Sequence, residues 1–204
     1  TVLAGGYQVI SAFGIASGTV VGSGSEDDIA LDGVAIGALL LNGGQEFVYS
    51  GGVASGTQID NGGYQYVSGG TAIGTVVDSG GYQILSSGGV ASGSLLNGPG
   101  FLQISSAGLA VSALVGSGGF ETVYFGGIAS GTVIESGGFE ILSSGGVASG
   151  TVISGGGVQF VSSGGVASGT TVSAGANEYV FSGGVADGST VSKGGAECAY
   201  NFGV

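Results

Sequence analysis

The chain has 204 residues, 50 of them Gly, with one Lys or Arg against 13 Asp and Glu, a formal net charge of −12 and no His, Met or Trp. The single basic residue, Lys193, cannot neutralise a nucleic-acid backbone, and an anionic membrane surface repels so acidic a chain, so neither is a partner. The missing His removes the commonest general base and metal ligand, and one Cys and one Pro exclude a disulfide framework, a thiolate zinc site and a collagen helix. No apolar run reaches the ~18 residues of a membrane-spanning helix.

The chain enters in mid-pattern at Thr1, as expected of a processed product or a piece of a longer array, and residues 1–4 read as the tail of an earlier unit. Repeat units then begin at Gly5, Gly24, Gly43, Gly62, Gly80, Pro99, Gly118, Gly137, Gly156, Gly175 and Gly194, a period of 19. Only the step from Gly62 to Gly80 is 18, with one residue missing near Ser68. With each unit numbered 1 to 19, column 10 is Gly in all eleven units, from Gly14 to Gly203, and column 12 is Ala in all ten units that reach it. Column 17 is Val, Ile or Leu in all ten, column 6 is aliphatic except at Ala199, and column 11 is aliphatic except at Thr71. A disordered Gly/Ser linker has no reason to hold aliphatic residues at fixed columns.

Each unit contains short segments rich in β-branched and aromatic residues, such as Tyr64–Val67 and Thr132–Ile134, bounded by Gly pairs and without a helical apolar stripe. Such a segment cannot bury a face alone, but it can pair in register with its copy in the next unit, ~4.8 Å away. The expected fold is therefore all-β. It is a parallel β-helix solenoid of about eleven turns, one per unit, forming a single repeat domain over residues 1–204. Columns 6, 11 and 17 are the predicted core, and the Gly pairs form corners where φ > 0 is free of strain.

The runs Gly80-Gly81-Tyr82-Gln83-Ile84-Leu85 and Ser87-Gly88-Gly89-Val90-Ala91, with Thr151-Val152-Ile153, resemble the passenger repeats of AIDA-type autotransporter adhesins. The family pattern is roughly GG-x-Q-x-V, S-G-G-x-A and T-x-V, and the likeness covers essentially the whole chain. It departs at Ser25-Glu26-Asp27-Asp28 and at Pro99 and Leu102. The resemblance implies a right-handed β-helix on a secreted or surface-exposed bacterial protein. It also implies adhesion, cell aggregation or biofilm formation, with a host or matrix glycan or protein as partner and O-glycosylation of Ser or Thr.

Column 4 is Gln or Glu in nine of eleven units and shares a strand side with column 6; column 15 is Thr in six units and shares a side with column 17. The pattern predicts a polar ladder at the core edge, Gln or Glu paired with Thr. Repulsion between Glu121 and Glu140, one turn apart, places it at a solvent-touching corner. Glu26, Asp27, Asp28 and Asp32 are a solvated acidic corner or, as the sharper alternative, a Ca²⁺ site, although the calcium-binding β-roll nonapeptide is absent. Cys198 is a plain thiol or an interchain disulfide partner, and Pro99 suits a corner that does not donate to the ladder. No cofactor is implied.

Strand parity sends columns 3 and 5 outward. Column 3 carries Tyr64, Tyr82, Phe101, Phe120 and Phe139 on consecutive turns, and column 5 adds Tyr66, Ile84, Ile141, Phe160 and Tyr179. Such a stripe marks a lateral self-association face; the alternatives are ring stacking that only stiffens the rod, or columns 3 and 5 turned inward with column 4 outward. Two other functions compete with an adhesive module. A polysaccharide-acting enzyme needs long turns to wall a cleft, and the turns here are uniformly short. An ice or flat-lattice binder through Ser17-Gly18-Thr19 and its copies is opposed by parity, which pulls columns 13 and 15 inward, and by Ile36, Ile73, Val111 and Asp187 in column 13.

Overall fold

The computed structural model describes residues 4–200, so Gly203 and residues 1–3 of the expected leading tail lie outside the described part. All regular structure in the described residues is β, in strands of two to five residues. Each repeat contributes three. Columns 3–6 form the first, as in Phe139–Leu142; columns 11–13 the second, as in Val147–Ser149; columns 16–17 the third, Val152–Ile153. Every strand pairs in parallel with its copy one turn on, column against column: Phe120 with Phe139, Glu121 with Glu140, Val123 with Leu142. The outcome is three parallel sheets of 11, 10 and 10 strands around one interior. This is the expected β-solenoid, with ten full turns and the first strand of another.

The short fourth unit keeps this register, since Tyr64–Ser68 pairs with Tyr82–Ser86 throughout. The missing residue comes out of the corner. Ser87 and Gly88 are both left-handed in the fifth unit (φ 49° and 77°), where the fourth has Gly69 alone (φ 75°).

Columns 6 and 17 are buried as expected, from Ile29 and Leu40 to Val161 and Val172. Column 11 is not. Val34, Val53, Val90 and Val147 are half-buried and Ile128 is 43% exposed, while the Ala of column 12 fills the core, at 0–1% exposure from Ala35 to Ala167. The reason lies one residue earlier. A Cβ on Gly33, Gly89 or Gly146 would meet the carbonyl oxygen of Ile10, Val67 or Val123 in the preceding turn at 2.0–2.1 Å. Column 10 is therefore Gly for lack of room against the neighbouring turn, not for a positive φ. With column 10 seated inward, alternation turns 11 out, 12 in and 13 out. Ser17 and Ser149 of column 13 are accordingly exposed, so the parity argument that drew this column inward fails, whereas Thr19 of column 15 is buried.

Pro99 also departs from expectation. Its neighbours in column 1 do donate to the next turn, Gly80 N–H to Pro99 O at 2.9 Å and Gly118 N–H to Gly137 O at 2.7 Å. Pro99, lacking N–H, drops the rung that Gly80 and Gly118 keep on either side of it.

Candidate functional site: an aromatic ladder over a buried polar column

The first sheet separates two kinds of residue by alternation alone. Columns 4 and 6 point in; columns 3 and 5 point out and are half-buried from Tyr64 to Tyr179. The inward arrangement of the aromatic columns is thereby excluded.

Outside, Tyr64, Tyr82, Phe101, Phe120 and Phe139 stack face to face with ring centroids 4.7–5.5 Å apart and planes within 12°. The stack shifts column without breaking. It passes from Tyr64 to Tyr66 and Phe47 at one end, and from Phe139 to Phe160 and Tyr179 at the other. All eight aromatic residues expected on this face thus join one ladder. Phe47, Tyr49, Phe181 and Tyr200 extend it. Three of these stand in column 7, just beyond the strand, and a column-by-column count of aromatic residues finds them. From Tyr49 to Tyr200 the ladder crosses eight turn spacings, roughly 38 Å. Each stacked pair contributes about 0.5–1.5 kcal/mol beyond its buried area. Because neighbours cover the ring faces, only ring edges and Tyr hydroxyls face solvent.

Inside, column 4 is a polar ladder, but in the dry core. Asp27, Glu46, Gln65, Gln83, Glu121, Glu140, Gln159 and Glu178 are all 0% exposed, which corrects the expected solvent-touching corner. The expected Thr partners are present: Thr57, Thr75, Thr151 and Thr170 each donate across the interior to the column 4 side chain of their own turn at 3.1 Å. Each Gln also reaches back one turn. Gln65 donates to Glu46 at 2.6 Å, Gln83 to Gln65 at 2.8 Å, and Gln159 to Glu140 at 2.6 Å. Buried Leu102 interrupts the column and divides it into two segments.

No cation faces the carboxyl groups, since Lys193 is exposed at the far end. Burial pushes Glu46 and Glu140 up to about 7, with hydrogen bonds from Gln and Thr opposing the rise. Asp27 rises to about 6 by burial and the nearby Asp28 charge. Glu121, whose two oxygens accept no hydrogen bond, is raised well above the usual range by burial and by Glu140. Glu178 is raised by burial. Glu46 and Glu140 are therefore part-protonated near neutral pH, and the net charge is smaller in magnitude than the formal −12.

The acidic cluster does not converge. Asp27 points into the core, Glu26 and Asp28 point out of the first sheet, and Asp32 is exposed at the next corner. Asp28 accepts a hydrogen bond from the Tyr7 hydroxyl at 2.5 Å, which lifts that hydroxyl to about 12. Among the described residues no three His, Cys, Asp or Glu side chains gather where an ion could sit. Cys198 is a half-buried free thiol on the outward side of the last strand of the first sheet.

Residues 30–81 and 139–195 match the family described as adhesin of the bacterial autotransporter system, probable stalk. The chain belongs to this AIDA adhesin family. A crystal structure of a TibA fragment hyper-glycosylated by TibC is similar along nearly the whole length, with 31% identity and a TM-score of 0.71. The alignment covers 97% of this chain and 93% of that one. No curated protein matches significantly. As an AIDA-type passenger, the chain is an adhesive module of the secreted, cell-surface class.

Proposed function

We propose that this AIDA-type chain is a non-enzymatic rod that associates with copies of itself through the outer face of the first sheet. The supporting observation is the unbroken aromatic ladder from Tyr49 to Tyr200. An apolar stripe of this length on a soluble rod marks an interaction surface. Its backing is rigid, so little ordering entropy opposes contact. Uniformly short turns build no walls around a substrate, and no His is available for proton transfer. Adherence to host or matrix material follows the same family logic. The relative carries sugars, and exposed hydroxyls such as Ser106 and Ser144 offer acceptors for O-glycosylation here.

Sedimentation of the wild type against a combined Tyr82→Ser, Phe101→Ser and Phe120→Ser variant tests the reading, with circular dichroism confirming the β-fold of both. Eight acids remain on the outside, so association strengthens with salt. A wild type that stays monomeric at 0.5 M NaCl (roughly a 4 Å screening length) would refute it, as would a triple variant that associates equally well.

A further inference from the structure

Column 11, expected in the core, forms an outer face of the second sheet that nothing within the chain covers. It runs over nine successive rows from Val34 to Val185 and is aliphatic in all but Thr71. Column 13 adds Ile36 and Ile73, 45% and 46% exposed. Along the edge of this face, Leu31 and Phe125 stand 68% and 66% exposed on left-handed backbone, φ 48° for each. That conformation is strained for a bulky residue. Ser87, Ser106 and Ser144 show that a small residue serves the same corner, at φ 48–49°. Leu31 and Phe125 thus combine strain with exposure, Phe125 meeting only the edge-on ring of its neighbour Tyr124 at 5.2 Å among the aromatic contacts.

Charge singles out the same face. Of the eight outward acids, only Asp32 and Asp187 adjoin it, one near each end. Glu26, Asp28 and the exposed Glu197 lie on the first sheet, and Asp60, Asp78 and Glu135 line the corner after the third. An acidic rod meets least repulsion from another acidic rod along this strip.

We infer that the outer face of the second sheet, edged by Leu31 and Phe125, is a second lateral docking surface for another copy of this chain. The inference rests on self-association as the function and adds a face to it. Nine rows at ~4.8 Å and a width of roughly 12 Å give about 520 Å² per copy, or about 1,000 Å² per pair. This lies just below the area of a stable specific complex, so each contact is weak and gains strength from many copies side by side. The first and second sheets face different directions. A rod therefore holds a different neighbour on each, and two unlike pairings alternate into an open array instead of closing as a dimer.

The test is sedimentation velocity of the whole chain over a concentration series in 0.5 M NaCl. The second-face variant is Leu31→Ser with Phe125→Ser, corners that other turns already build from Ser. An independent variant is Val90→Glu with Val147→Glu, which places acid on outward positions and leaves the core intact. The wild type is expected to pass beyond dimers. Either second-face variant stops at dimers, the triple aromatic variant also stops at dimers, and combining the two faces gives monomers. Second-face variants that assemble past dimers like the wild type overturn the inference and leave the aromatic face standing. A wild type that reaches only dimers, abolished by the aromatic variant, does the same. A wild type that is monomeric throughout overturns both.

Discussion

Glu140→Gln isolates the contribution of the interior column to stability. Glu140 accepts hydrogen bonds from Gln159 at 2.6 Å and Thr151 at 3.1 Å, while Glu121 in the turn before it has no donor. A Gln at 140 keeps an oxygen for both donors and turns its amide toward Glu121, as Gln65 and Gln83 already do toward the turns before them. Burial raises Glu140 from 4.5 to about 7, so the folded chain holds this proton more tightly than the unfolded one. Its contribution is complete below about pH 4.5, declines as pH rises through the window to about 7, and is gone above it. At ~1.4 kcal/mol per pH unit the loss is about 3 kcal/mol. Gln does not titrate. The variant should match the wild type near pH 4.5 and exceed it by about 3 kcal/mol at pH 8, a rise in Tm of roughly 6–12 °C for a chain of this size. Thermal and urea denaturation followed by circular dichroism at the two pH values measure the gap. The same gap at both, or a variant less stable than the wild type at pH 8, refutes the argument.

Other outcomes follow from the same geometry. Wild-type stability should fall between about pH 4 and 7, where Asp27, Glu46 and Glu140 have ionised in the unfolded chain but still hold their protons in the folded one, and level off above that window, in a denaturant-midpoint scan with pH. Thr151→Val removes a donor to Glu140 and should cost about 1 kcal/mol, with the larger loss at pH 8, where the carboxylate needs the bond most. Gly127→Ala drives a Cβ to within 2.2 Å of the Ile104 carbonyl oxygen and should cost more than about 3 kcal/mol in urea denaturation. By contrast, Gly131→Ala, at φ 68° with only the Ser112 hydroxyl at an ordinary contact distance of 3.8 Å, should cost only about 1–2 kcal/mol, since Ser112 holds the same corner one turn earlier.

The period carried most of the architecture. A fixed aliphatic residue at columns 6 and 17, recurring once in every unit, permits little besides stacked parallel strands, and both columns proved buried. Column 11 misled because hydrophobicity and direction disagree there. What decides its direction is the contact between Gly of column 10 and the carbonyl of the previous turn, a long-range fact that no local pattern contains. The interior carboxyl groups misled for a related reason. Two Glu in register look incompatible with burial only if both are charged, and burial that favours the neutral form of Glu121, with amide and hydroxyl donors to Glu140, removes that conflict. The aromatic ladder was legible at its centre, where one column holds five rings in a row. The slide into column 5 at Tyr66, Phe160 and Tyr179 was legible too, whereas Phe47 and the column 7 rings Tyr49, Phe181 and Tyr200 were not.

The ladder of backbone bonds between turns, such as Leu39 N–H to Thr19 O and Val133 N–H to Ala113 O, both 2.8 Å, runs along the rod. A tensile load applied at the two ends therefore peels one turn at a time and never shears many strands at once. Each peeled turn frees one repeat unit, about 65 Å of extended chain against ~4.8 Å folded. The filament yields in equal steps and lengthens more than tenfold, dissipating work at every step and re-forming on the exposed end as tension relaxes. A tether of this design limits the force that flow transmits to whatever holds its tip.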